Sequence, residues 1–225
     1  MDILKSDIFK INYKNQTDGL LLLNDINNEV IKTAFFDPQY RGVLDKLAYG
    51  NEGKSRGKAR SELPQMDEET IINFIKEIDR VLVPSGHLFL WVDKFHLCQG
   101  VLPWLKDTNL QLVDMIVWDK AKMGMGYRSR RKSEYLIVLQ KLPIKAKAVW
   151  TDHAIPDVWT EKTPKVHPHS KPLDLQERLI CATSNEGDYI LDPASGGYSV
   201  FEASKKCNRN FIGGDLIFGE ENKGE

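Results

Sequence analysis

The sequence has no stretch approaching the roughly 18 apolar residues of a membrane helix, and its acidic start, Met1-Asp2, is unlike a secretory signal. Lacking both, the chain is expected in the cytoplasm. Cysteine is scarce. Cys98, Cys181 and Cys207 are odd in number and far apart in sequence, which excludes a disulfide framework and shows no zinc-ligand spacing; all three are expected as buried thiols. Of the histidines (His87, His96, His153, His167, His169), His167 and His169 form the one close pair, and no acid or cysteine stands at ligand spacing from it, so no metal site is expected. Net charge is nearly absent too: 31 Lys and Arg against 32 Asp and Glu leave −1. That excludes a coat of positive charge but not nucleic acid, because a local basic face is enough to meet phosphates. What remains is an ordinary soluble composition, 41% hydrophobic and 28% charged over 225 residues, enough to bury one α/β domain spanning residues 1–225.

Thr33-Ala34-Phe35-Phe36 runs directly into Asp37-Pro38-Gln39-Tyr40. The apolar run reads as a buried strand and the polar tetrapeptide as the turn that ends it. In an open α/β sheet, ligands bind beyond the carboxyl ends of the strands, so the turn stands at the mouth of a site. Asp37 offers carboxylate acceptors, Pro38 a carbonyl, and Tyr40 a flat face for stacking. A planar ring bearing an amino group suits that set.

Other elements follow from pattern. Asp18-Gly19 opens a short helix over Leu20 to Leu23. A second helix starts at Asp67-Glu68-Glu69, buries Ile71, Ile75, Ile78 and Leu82, and is stopped by Pro84-Ser85-Gly86. His87 to Val92 is apolar enough to be covered on both faces, as parallel strands are. A helical segment from about Phe95 to Lys106, interrupted near Gly100 and Pro103, precedes strands at Leu110 to Trp118 and Glu134 to Gln140. Residues 142–170 read as an irregular surface loop, and Ser170 and Pro172 as the start of a helix carrying Leu175, Leu179 and Ala182. Such a helix start, with Lys171 beside it, suits a carboxylate.

Two polar segments are basic. Residues 41–66 are predicted as a mobile loop with Arg41, Lys54, Arg56, Lys58 and Arg60. Residues 119–133, the connection between two strands, hold six cations within thirteen positions, Lys122, Arg128, Arg130 and Arg131 among them. Both segments suit DNA phosphates, and arginine also reads guanine in the major groove. Each is otherwise a solvated loop.

Near the end, Asp188 to Asp192 reads as a strand, Pro193 to Tyr198 as a small-residue turn, and the chain then forms a helix to about Cys207 and a strand ending at Asp215. This βαβ unit places an adenosine beside glycines and ribose hydroxyls on an acid, here Asp215; a dinucleotide enzyme would use the same unit. Residues 219–225 read as a tail.

In this order, Asp37-Pro38-Gln39-Tyr40, Pro84 to Trp91, Ser133-Glu134, His167 to Pro172 and Asp192 to Tyr198 resemble the permuted beta class of amino-group DNA methyltransferases. The catalytic motif of that family is D-P-P-Y, its last two segments H-P-x-x-K-P and D-P-F-x-G-S-G. The resemblance implies a Rossmann-like domain whose mostly parallel, seven-stranded sheet ends in a reversed hairpin, and S-adenosylmethionine as cofactor. It implies double-stranded DNA as partner, leaves room for a homodimer, and makes Asp37, Pro38, Gln39 and Tyr40 the catalytic turn. Cofactor contacts are implied for Asp18, His169, Lys171, Asp192, Pro193, Ala194, Gly196 and Asp215, with Asp7 a competitor for the place of Asp18. Gln39, Ala194 and Tyr198 depart from the motifs. The expected reaction is methylation of adenine N6; cytosine N4, another planar amide or amine, an NAD-dependent oxidoreductase and a catalytically weak DNA-binding subunit are the alternatives.

Overall fold

The computed structural model describes residues 2–39, 66–124, 128–163 and 171–220. The first half forms β1 (Asn15–Gln16), α1 (Gly19–Asp25), β2 (Ile31–Phe36), α2 (Glu68–Val81), β3 (Leu82–Val92) and α3 (Lys94–Gln99), followed by a 3-10 turn at Leu102–Leu105. The second half forms β4 (Leu110–Asp119), β5 (Ser133–Lys141), β6 (Val158–Thr160), α4 (Leu173–Thr183), β7 (Tyr189–Asp192), α5 (Ser199–Lys206) and β8 (Asn210–Asp215).

Alternation of side chains along the central strands divides the interior into two layers. β2 sends Ala34 and Phe36 to one face and Phe35 to the other; β3 likewise separates Leu88, Leu90 and Val92 from Phe89 and Trp91. The first face is covered by Leu22 and Leu23 of α1 and Ile71, Ile75 and Ile78 of α2. The second is covered by Leu175, Leu179 and Ile180 of α4 and Val200 and Ala203 of α5. A sheet buried on both sides explains why its central strands are nearly continuous in apolar residues.

The strand order is β1-β8-β7-β2-β3-β5-β4-β6, with only β5 reversed. This is the mostly parallel α/β sheet expected, with eight strands in place of seven. The eight strands among the described residues include two that the sequence pattern did not mark, the short edges β1 and β6, two and three residues long. Neither is long enough to carry an alternating pattern, and the loop predicted over 142–170 therefore conceals β6. β6 also lies outside β4, so the reversed hairpin of β4 and β5 is not the last pair.

Two local readings change. Pro84-Ser85-Gly86 lies inside β3 and does not end α2, which gives way to the strand at Leu82. Ile31 pairs with Leu82 and Thr33 with His87, so two steps on β2 face five on β3, and the bulge takes up the difference. Ser85 adopts φ 63° there, and a Cβ on Gly86 would approach the Val83 carbonyl oxygen to 2.9 Å. The turn residues mark an irregularity within a strand. At α4, Ser170 lies outside the described residues, and the N–H groups of Asp174 and Leu175 donate to the Glu161 carboxylate at 3.1 Å each. The chain's own acid occupies the helix start that the sequence offers to a carboxylate.

The cysteine reading changes as well. Cys207 is buried, but Cys98 and Cys181 are exposed, and Cys181 and Cys207, distant in sequence, are neighbours in space. Packing of α4 on α5 brings them together, which spacing alone does not reveal.

The chain leaves β2 toward β3 on one side and β7 toward β8 on the other. The order reverses between β2 and β7, which are hydrogen-bonded neighbours. In open α/β sheets such a reversal is where the ligand crevice lies, beyond the carboxyl ends of the strands. Gly19 closes its first-face wall: a Cβ would lie 2.1 Å from the Pro193 carbonyl oxygen and 2.7 Å from the Phe74 ring. Gly19→Ala is therefore expected to destabilise the protein by about 1–3 kcal/mol through overpacking, read as a lower urea midpoint with unchanged slope.

Candidate active site

Asp37 follows the last residue of β2, at the mouth of the crevice, and its carboxylate is partly exposed. Lys171, just ahead of α4, places its ammonium 2.8 Å from Asp37 Oδ2 and 2.9 Å from Glu134 Oε2. Glu134 stands near the start of the reversed strand β5, which brings it to the same end of the sheet as the ends of β2, β3 and β4. Its other oxygen accepts from Lys120, the residue after β4. Trp91, near the end of β3, lies under Lys171 with its ring centroid 4.8 Å from Nζ. Four segments distant in sequence thus meet in one chain of alternating charge, Asp37, Lys171, Glu134 and Lys120.

The charges in that chain sustain one another. Burial works against an ionised Glu134, but Lys171 and Lys120 outweigh it and hold the carboxyl at about 2. Burial likewise opposes the charge on Lys171, yet Asp37 and Glu134 hold its ammonium well above the usual lysine range. Lys171 is paired on two sides. It reaches a further carboxylate only through its remaining proton.

The second wall of the crevice is the turn after β7. Asp192 ends the strand, and burial pushes its carboxyl well above the usual range; Asp37 and Asp215 add to that push, while the Ala194 N–H and Lys171 oppose it. Ala194 N–H donates to Asp192 Oδ1 at 3.3 Å, and Pro193 is the residue on which Gly19 packs. Gly196 takes φ 47°, with open space where a Cβ would stand. Asp215, the last residue of β8, accepts the Gly196 N–H at 3.0 Å and those of Ile217 and Phe218 at 2.9 Å. Asp18 caps α1 by accepting from Leu20 and Leu21, beside the Gly19–Pro193 contact. Asp7 lies in the N-terminal segment outside any helix or strand.

Tyr198 is accommodated by a second left-handed backbone, φ 57°, and its buried hydroxyl lies 2.8 Å from the Asn15 carbonyl and 3.0 Å from that of Phe218. Gln39 is exposed, and its carbonyl accepts the Met66 N–H at 2.7 Å. Gln39 and Met66, which border the undescribed residues 40–65, are thus hydrogen-bonded neighbours.

The connection between β4 and β5 starts at Lys120 and ends near Glu134, so it is rooted in the site. Lys122, Arg128, Arg130 and Arg131 are exposed on it, with Arg130 donating to the Gly124 carbonyl at 2.9 Å. Tyr40, Arg41, Lys54, Arg56, Lys58, Arg60 and His169 lie outside the described residues. Among the residues that are described, the fold gathers Asp18, Asp37, Lys171, Asp192, Pro193, Ala194, Gly196 and Asp215 around one crevice. Sequence reasoning counted Glu134 and Trp91 within segments of the family resemblance and Lys120 within the basic connection, but gave none of them a place at the catalytic turn. Glu134 carried a usable signal, as an acid at the head of an apolar strand immediately after a run of cations; Trp91 looked like any core aromatic.

Acids on three strand ends, one lysine-held carboxylate and a glycine turn can bind a cationic, nucleoside-like molecule and accept hydrogen bonds from an amine presented at the mouth. Comparison with known proteins agrees. A family model described as DNA methylase matches residues 31–217. The chain is 63% identical over 213 residues to the type II methyltransferase M.HhaII of Haemophilus parahaemolyticus, covering 94% of this chain and 93% of that protein. Among solved structures, it resembles the cytosine-N4-specific PvuII DNA methyltransferase, with a TM-score of 0.70, 14% identity and coverage of 92% and 85% of the two chains. It also resembles M1.HpyAVI in complex with S-adenosylmethionine, with a TM-score of 0.63, 18% identity and coverage of 90% and 92%.

The ion chain makes stability depend on acid. Because the folded protein holds Glu134 at about 2, below its ordinary 4.5, its contribution is complete above 4.5 and is lost as pH falls toward 2. Urea denaturation at a series of pH values should show Glu134→Gln less stable than the parent at neutral pH, the difference closing across that acid window. A constant difference down to pH 2 would contradict the charge pairing.

Proposed function

The chain belongs to the N6/N4 DNA methylase family, and from that premise we propose that it methylates adenine N6 at a defined site in double-stranded DNA, using S-adenosylmethionine. The observation that carries the proposal is the placement of Asp37 at the switch-point mouth, its carboxylate held by Lys171 beside an acidic crevice. S-adenosylmethionine, when bound, supplies a methyl group already activated on a sulfonium.

The crevice suits that cofactor. It is a cation at sulfur, and Asp192 lies within electrostatic reach of both Asp37 and Asp215. We assign the turn Asp192, Pro193, Ala194 and Gly196 to its amino acid portion and nearby ribose, Asp215 to ribose hydroxyls and Asp18 to the adenine. His169 and Lys171 complete the set, Lys171 while also holding Asp37. Ala194 in place of the family's phenylalanine leaves a smaller wall at this position.

An exocyclic amine is a weak nucleophile because its lone pair is delocalised into the ring. Asp37 and the Pro38 carbonyl accept its two N–H bonds, which favours a tetrahedral nitrogen and stabilises the positive charge gained during attack. Alignment supplies much of the rest. The target base must leave the duplex to arrive there, at a cost of a few kcal/mol, and stacks on Tyr40. Gln39 serves the turn through its backbone. The choice of adenine over cytosine rests on the family resemblance, in which an aspartate at the head of the tetrapeptide goes with adenine N6 and a serine with cytosine N4.

The exposed cations Lys122, Arg128, Arg130 and Arg131 are assigned to DNA because their loop is rooted at Lys120 and Glu134; Arg41, Lys54, Arg56, Lys58 and Arg60, outside the described residues, are assigned to DNA on their charge in the sequence. Restriction-modification is the setting that the type II relative suggests. A cytoplasmic location follows from a DNA substrate, and no helix among the described residues is long and apolar enough to cross a membrane. For a homodimer, β6 pairs with β4 only at Val117–Asp119, and exposed Leu112 and Val113 offer a second copy the remaining edge.

Asp37→Ala should keep S-adenosylmethionine affinity in calorimetry but lose single-turnover methylation by several orders of magnitude, each factor of ten being about 1.4 kcal/mol of transition-state stabilisation. Digested product DNA should contain N6-methyladenine by mass spectrometry, and N4-methylcytosine would reassign the base. Neutralising Arg128, Arg130 and Arg131 together should flatten the salt dependence of DNA binding by about one unit of logarithmic slope for each phosphate no longer neutralised. An unchanged slope in fluorescence anisotropy would move the DNA-binding role to the segment 41–66.

A further inference from the structure

Two of the cysteines have no part in the methyl-transfer chemistry, yet their placement is specific. Cys181 lies in the last turns of α4 and is exposed; Cys207 follows α5 and is buried. Their sulfurs are 3.0 Å apart, both as free thiols. The seam around them is tied by contacts that do not involve sulfur: Lys206 pairs with Glu177, and Arg209 donates to the Ser184 carbonyl at 2.6 Å and to its hydroxyl at 3.1 Å. Arg209 also donates to the Cys207 carbonyl. The apposition of the sulfurs is therefore imposed by how α4 packs on α5.

We propose that Cys181 and Cys207 form an oxidisable dithiol, a modification site for low-molecular-weight disulfides, whose closure staples α4 to α5. The exposed thiol meets the oxidant first. Cys181 as thiolate attacks one sulfur of the small disulfide, the S–S bond of the oxidant breaks, and one small thiolate leaves. Cys207, released of its proton to water, attacks the Cys181 sulfur and expels the second small thiolate. Two protein thiols are oxidised, one disulfide is reduced to two small thiols, and the departing thiolates take up the protons. Burial pushes Cys207 up to about 12, which assigns it the second, intramolecular step, where proximity offsets its small thiolate fraction.

The staple joins helices whose other ends carry the site: α4 begins just after Lys171, and α5 just after the turn from Asp192 to Tyr198. In a reducing cytoplasm the pair stays open, and it closes under disulfide stress. Closing a loop between positions 26 apart constrains the unfolded chain, so the bridged form should melt higher.

The test uses the purified full chain, reduced, then exposed to oxidised glutathione and alkylated. The expected product is lighter by about 2 Da before alkylation counts are added, yields a cross-linked peptide pair containing Cys181 and Cys207, and leaves Cys98 alkylated. Its thermal midpoint rises by several degrees, and dithiothreitol reverses both changes. Cys207→Ser should instead retain a glutathione adduct on Cys181. Cys181→Ser, a change at an exposed position, should give neither bridge nor shift in midpoint. The proposal is overturned if the parent chain retains the glutathione adduct on Cys181 while Cys207 stays reduced, if Cys98 consumes the oxidant in dimers joined between chains, or if the bridged form melts no higher than the reduced one.

Discussion

One ammonium group between two carboxylates organises the site. Lys171 could not be buried as a charge on its own, because desolvation would strip its proton. Asp37 and Glu134, on either side, reverse that outcome, and the ring of Trp91 adds a favourable face below. The requirement reaches far into the fold. The end of β2, the reversed direction of β5, the exit from β4 and the entry to α4 must all converge for the chain of charge to close. A reversed strand is what permits it, since in a fully parallel sheet the head of β5 would lie at the opposite end from Asp37.

The same constraint divides the acids by role. Asp37 is held as an acceptor by a cation, whereas Asp192, buried and facing Asp37 and Asp215, is pushed toward its neutral form. Asp215 and Asp18 are stabilised differently, through backbone N–H groups of the turn after β8 and the start of α1. A positive charge brought into the crevice would oppose the repulsion among these groups and shift Asp192 back toward its charged form, so that the crevice would favour a cation over a neutral nucleoside of similar shape.

The central sheet was legible because its strands are buried on both faces and bounded by turn residues; Ile31–Phe36 and the apolar half of Leu82–Val92 announce themselves by composition. The crevice was legible for a related reason, since strand ends with acids and small residues mark where ligands enter. What could not be read came from contacts between segments distant in sequence. Glu161 caps α4 across a loop, Glu134 reaches Lys171 through the strand reversal, and β6 exists only as a partner for the end of β4. Pro84-Ser85-Gly86 misleads for a different cause, because turn residues report an irregular backbone without saying whether a strand continues through it.

Tyr198 stands where the family motif has its second glycine, and the turn after β7 accommodates it in a left-handed backbone. A left-handed backbone at a residue other than glycine costs on the order of 1–2 kcal/mol, and Tyr198 adopts one at φ 57°. Its hydroxyl is placed between the Asn15 and Phe218 carbonyls, one just before α1 and the other just after β8, and its ring packs against Phe211. These contacts offset the backbone cost and join three segments whose acids, Asp18, Asp192 and Asp215, line the crevice. A glycine in this place would relax the strain yet leave those segments without their common anchor. The tyrosine therefore substitutes side-chain packing for backbone freedom, and the turn is held from behind while Gly196 keeps its open approach in front.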